Sequence, residues 1–148
     1  MKNKNYLVTM ENMFLALADK TRLRLLNLMR SGEVCVCFFV EVLEESQPKI
    51  SRHLAYLRNA EVIKARRDGK WMHYKIVNPE NEYAALTLRN TLDWLESQEK
   101  MREDYRKLES ICCSIEVPIN IARAPKPKTF AEANTNIRQN RELETFLL

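Results

Sequence analysis

The chain has 148 residues, 45% of them hydrophobic, with a formal net charge of +4 and four cysteines, enough for one domain with a core and an appendage. Its longest uninterrupted apolar run, residues 34–40, is far too short to span a bilayer, and no apolar stretch follows a basic start, so neither a membrane span nor a secretory signal is expected. Four cysteines in such a chain read as cytosolic thiols rather than a disulfide scaffold, which makes the cytoplasm the expected compartment.

Two glycines among many Leu, Lys, Arg and Glu residues predict a mostly helical fold. Residues 6–17 carry Leu7, Met10, Phe14 and Leu17 at helical spacing. In "LADKTRLRLLNLMRSGE", Asp19 suits an N-cap, Leu23, Leu26 and Met29 form an inward face, and Gly32 sits where a helix would end. Residues 34–43 read as a short apolar helix closed by the polar "EES". Ser46 then caps "QPKISRHLAYLRNA", with Pro48 in the first turn, where a missing N–H does little harm. Ile50, Leu54 and Leu57 give that helix one narrow apolar stripe.

The period changes in "EVIKARRDGKWMHYKIV", which alternates around Asp68-Gly69, a strong signal for a two-residue hairpin turn. Centring the turn there pairs Arg67 with Lys70, Ala65 with Met72 and Ile63 with Tyr74. Ile63, Ala65, Met72, Tyr74 and Ile76 then share an apolar face, and Lys64, Arg66, Trp71, His73 and Lys75 a largely basic one. A helix follows "NPE", with Leu88, Leu92, Leu95, Arg102, Tyr105, Leu108 and Cys112 as a seam. It runs about thirty residues without Gly or Pro, a length that usually finds a partner helix in a second copy of the chain. Pro118 ends it, "ARAPKPK" reads as an extended linker, and residues 129–148 as a weak helix or disorder. The division is thus a domain over residues 1–113 and an extension over 114–148.

Charge is concentrated in the middle. Residues 46–77 carry eight Lys and Arg against Glu61 and Asp68, a net +6 in a chain of +4. A basic centre of this kind is the footprint of a nucleic-acid surface. Helices, a capped helix pair, a basic hairpin and a long helix are the layout of a winged helix-turn-helix: mainly α, with a β-hairpin wing, dimeric through long terminal helices. The Ser46-capped helix would enter the major groove, presenting Gln47, Lys49, Ser51, Arg52 and Tyr56; Arg66, Arg67 and Lys70 at the wing tip suit phosphate or minor-groove contact. His53 lies at the edge of the apolar stripe and fits either a packed histidine or a DNA contact.

"SQPKISRHLAYLR", the "RRDGKWMHYKI" hairpin and above all "EVCVC" resemble the ArsR/SmtB family of metal-responsive repressors, specifically its arsenic sensors, over roughly residues 10–113. The resemblance implies a homodimer that binds double-stranded operator DNA without effector. It leaves the DNA when trivalent arsenic or antimony binds cysteine thiolates, with no permanent cofactor and no enzymatic activity. Soft ions of this kind prefer thiolates, which singles out Cys35 and Cys37. If both lie on one helix they point about 200° apart, so sharing an ion would require that turn to unwind. Family members of this type often continue Cys-Val-Cys with Asp-Leu-Cys, whereas Phe38, Phe39 and Val40 stand here. Cys112 and Cys113 fall where other members place adjacent ligands, and either complete a site with Cys35 and Cys37 or form their own. Zinc sensing fits less well, because the long helix contains no histidine. Cadmium or lead sensing and thiol oxidation on the same fold are the alternatives. A thiol enzyme is disfavoured, since no glycine-rich loop follows either cysteine pair.

Overall fold

A computed structural model describes residues 5–113 and 121–130. Helix α1 (Tyr6–Leu17) starts on Asn5, whose side chain accepts from the Leu7 and Val8 amides. Its buried residues are Met13 and Ala16. The stripe expected inside is turned outward at Leu7 (79% exposed) and Phe14 (54% exposed). Helix α2 (Lys20–Leu28) is capped by Asp19, which accepts from the Arg22 amide at 3.0 Å. Arg22 in turn donates to the carbonyls of Ala16 and Leu15 at 2.7 and 2.9 Å, tying the two helices at their junction. Leu26 and Met29 are buried and Leu23 half-buried.

Gly32 takes φ +146°, a conformation open to glycine, and turns the chain into a two-residue strand β1 (Val34–Cys35). Helix α3 (Val36–Leu43) follows with Cys35 as its N-cap residue at φ −71°, ψ 141°. The apolar segment is therefore not a single helix. Its first two residues pair with a later strand, and Phe38 and Phe39 anchor the remainder in the core, 1% and 0% exposed. Helix α4 (Gln47–Asn59) is capped by Ser46 and packs through Ile50, Leu54 and Leu57, each fully buried.

Strands β2 (Ile63–Asp68) and β3 (Trp71–Ile76) form the hairpin, and β1 joins as the third antiparallel strand in the order β1-β3-β2. The register is Asp68↔Trp71, Arg67↔Met72, Ala65↔Tyr74 and Ile63↔Ile76. The turn thus centres on Gly69-Lys70, one residue later than read from sequence. Gly69 sits at the first central position with φ +58°, the place where a II′ turn needs glycine, so Asp68 stays in the strand. Partners shift by two residues, and every side chain keeps its expected face.

The long helix is two. Helix α5 (Glu82–Ser97) is capped by Asn81 and ends at Gln98, whose extended backbone (φ −84°, ψ 131°) breaks the run before helix α6 (Glu99–Cys113). The break lets α6 fold back on α2. Asp104 receives a two-point ion pair from Arg24 at 2.6 and 3.0 Å, and Asn27 donates to the Met101 carbonyl. Leu88, Leu95, Tyr105, Leu108 and Cys112 from the expected seam are buried within this chain, while Arg102 is exposed. In place of an extended linker, residues 121–130 lie on the core. Ile121, Ala124 and Phe130 are buried, Phe130 rests against Tyr105 with ring centroids 6.0 Å apart, and Thr129 donates to the Ser31 carbonyl. Pro118 and residues 131–148 lie outside the described residues.

Candidate functional site

Helix α3 packs on α4, and the thiols sit at its start. Because the helix begins at Val36, Cys35 belongs to the strand and its side chain is free of helical phase. Its Sγ lies 3.2 Å from that of Cys37. The 200° divergence expected for two helical thiols does not arise. Two thiolate bonds of about 2.3 Å, the zinc–sulfur length, would meet across this gap at roughly 90°. That is a pyramidal rather than a tetrahedral angle. The hydrogen bond from Cys37, followed by backbone N–H groups of Cys37, Val36 and Met72, draws the Cys35 thiol down to about 7 despite its burial. The same bond, with burial, pushes Cys37 up. Of the two sulfurs, Cys35 therefore gives up its proton first, with Cys37 as the hydrogen-bond donor to it. Thiolate ultraviolet absorbance is expected to titrate near pH 7 with the amplitude of a single cysteine. In Cys37→Ala, which removes the donor, that step moves to higher pH.

The remaining thiols are elsewhere. Cys112 is buried on α6 and burial, with Cys113 beside it, raises it to about 12, while Cys113 is exposed. Among the described residues no three His, Cys, Asp or Glu side chains are grouped to hold a metal ion. Cys112 and Cys113 are thus not brought to Cys35 and Cys37 within one chain. Phe38, Phe39 and Val40, which stand where a carboxylate and a third thiol would follow, belong to the core or pack against it.

On α4, Gln47, Ser51 and Arg52 are exposed. Lys49 is held by Glu45 at 2.7 Å. His53 is half-buried, its Nδ1 3.7 Å from Asp19 Oδ1, so it braces α4 against the cap of α2. Tyr56 is stacked under the Arg22 guanidinium, 4.2 Å from the ring centre. On the wing, Arg67 donates to the Gly69 carbonyl and Lys70 lies over Trp71, both exposed at the tip. Arg66 is clamped by Glu33, with Nη2 at 2.6 Å and Nε at 3.2 Å from its oxygens.

Two participants leave no signal in the sequence. His73, expected on the outward basic face, is 4% exposed, paired opposite Cys35 of β1, and its Nε2 has no hydrogen-bond partner. Glu33 acquires its role only once β1 is recognised, and a two-residue strand has no periodicity to detect.

A capped helix laid against a second helix, with a β-hairpin on its flank, defines a winged helix-turn-helix DNA-binding protein. Residues 19–65 match the family model for bacterial regulatory proteins of the arsR family. The chain is 38% identical over 116 residues to the arsenic resistance transcriptional regulator ArsR2 of Pseudomonas putida, covering 72% of this chain and 100% of that one. It is 41% identical over 103 residues to the arsenical resistance operon repressor of Escherichia coli, covering 69% and 86%. Among solved structures, HlyU from Vibrio cholerae superposes with a TM-score of 0.54 at 23% identity, covering 64% of this chain and 99% of that one. The homodimeric winged helix-turn-helix DNA-binding domain of a possible ArsR-family regulator from Mycobacterium bovis gives 0.52 at 23%, covering 65% and 91%. The chain belongs to the ArsR family: it is an ArsR-type transcriptional repressor, a DNA-binding regulator rather than an enzyme. Among the described residues no helix is long and apolar enough to cross a membrane.

Proposed function

We propose that this repressor holds operator DNA as a homodimer and releases it when trivalent arsenic or antimony is bound by Cys35 and Cys37. The observation that carries the reading is the pair of thiols 3.2 Å apart at the start of α3, the helix that packs on α4. The names of the relatives point the same way. Cys35 is fully buried, so an ion seated beside the two sulfurs needs space that β1 and the first turn of α3 must yield. That displacement reaches α4 through the packed α3–α4 contact. Residues 1–113 form the DNA-binding and dimerisation unit, with residues 121–130 packed on its core.

Dimerisation is assigned to α1 and α5. Leu7, Val8, Phe14 and Leu15 on the first, and Leu86 and Trp94 on the second, are large apolar side chains left exposed by a single chain. DNA reading is assigned to Gln47, Ser51 and Arg52, with Lys49 and His53 supporting and Arg66, Arg67 and Lys70 anchoring the backbone. Arg52→Ala should cost about 1–3 kcal/mol at the operator and relax sequence preference there. Arg66→Ala/Arg67→Ala should weaken all DNA alike and lower the log–log salt slope by about two. A slope equal to wild type would remove the wing from the contact.

The short sulfur separation also favours oxidation by peroxide to a Cys35–Cys37 disulfide. Arsenite titration of the free protein separates the two readings. Sulfur-to-arsenic absorption that saturates at one ion per chain, with all four thiols recovered after extraction by a competing dithiol, supports ion sensing. Absence of that absorption, with two thiols lost to peroxide and operator binding lost with them, supports redox sensing.

A further inference from the structure

The side of the sheet that carries Cys35 also carries Arg66, Lys64 and Lys75 of the wing. Cross-strand partners project to the same face, so Cys35, His73 and Arg66 form one row, through the pairs Cys35↔His73 and Arg66↔His73. Lys75 and Lys64 are paired in the next row. Glu33, the residue before β1, reaches diagonally over His73 to Arg66. It accepts from Nη2 and Nε, and its Oε1 lies 3.8 Å from His73 Nδ1. Asp68, further along the wing, lies 3.9 Å from His73 Nε2. Arg66 is thus held by its Nε/Nη2 edge, on a side chain that stays 55% exposed. A two-point carboxylate clamp fixes a guanidinium in orientation as well as place.

We infer that Glu33 is a positioning residue that couples the thiol pair to the wing: carried two residues before Cys35, it presets the Arg66 guanidinium for the DNA backbone and lets go when ion binding displaces β1. The inference rests on the proposed arsenic-responsive reading and adds a route distinct from the α3–α4 contact. The route is short, because Glu33 and Cys35 share one stretch of backbone and Arg66 lies only one strand beyond β3. Loss of the clamp leaves Arg66 charged but without a fixed direction, so a DNA contact weakens with no change in net charge.

The test compares operator affinity with and without arsenite, by fluorescence anisotropy, in wild type, Glu33→Gln, Arg66→Lys and the double variant. Sulfur-to-arsenic absorption is followed in each. Glu33→Gln keeps the shape of the side chain and removes its charge; Arg66→Lys keeps the charge and removes the fork. The ratio of the two affinities should fall at least about five-fold in Glu33→Gln, a share of the coupling usual between two sites. Arsenite absorption should be unchanged, and the double variant should fall no further than the single. An undiminished ratio in Glu33→Gln overturns the coupling role, as does a double variant in which the two losses add. A wild type that binds arsenite without releasing DNA would instead sink the functional reading and this inference with it, a result visible before any variant is made.

Discussion

Replacing Cys35 and Cys37 with serine is expected to leave operator binding intact and to abolish release by arsenite. Serine keeps the size and the hydrogen bond but offers a hard oxygen to a soft ion, so either single change should suffice. The whole coupling between ion and DNA is at stake, about 1–3 kcal/mol for two coupled sites in general. Cys112→Ser/Cys113→Ser is expected to retain the response, because one chain does not bring those thiols to the first pair. A weakened response there would assign a third thiolate to α6 of the partner. Full arsenite release in the Cys35→Ser/Cys37→Ser protein, measured by operator anisotropy, would move the sensor to the end of α6.

Trp94→Glu should leave a folded chain that no longer dimerises, and with it lose operator affinity by two orders of magnitude or about 3 kcal/mol, since one half-site contact replaces two. Trp94 is 56% exposed on α5, whereas its neighbour Leu95 is fully buried. Leu95→Glu therefore places a carboxylate in the core and should unfold the chain, at a cost of several kcal/mol. Sedimentation distinguishes the cases: Trp94→Glu should run as a compact monomer. An intact dimer in both Trp94→Glu and Leu86→Glu would take α5 out of the interface.

These two neighbours illustrate what the sequence could carry. Periodicity identified the helical face at Ile50, Leu54 and Leu57, and caps at Asp19 and Ser46 marked where helices begin, because those signals are local. The wing was legible for the same reason, down to which residues share a face. Long-range consequences were not. A seam of apolar residues looks alike whether it meets a second chain or its own, and nothing at Gln98 announces the extended residue that folds α6 back. The thiols were found by spacing, but their geometry depended on one strand boundary. With Cys35 in β1, paired opposite His73, the sulfurs converge instead of diverging. The clamp of Glu33 on Arg66 follows from that same strand, since Glu33 immediately precedes it.

Fluorescence anisotropy of wild-type protein on labelled operator DNA, titrated with arsenite at fixed salt and reductant, reads arsenite-driven release itself. Release is expected to be complete near one arsenite per chain and to be reversed by a competing dithiol, with zinc far less effective. Operator binding that persists through saturation of the sulfur-to-arsenic absorption, or release by zinc at equal concentration, would rule out arsenic-driven release through Cys35 and Cys37.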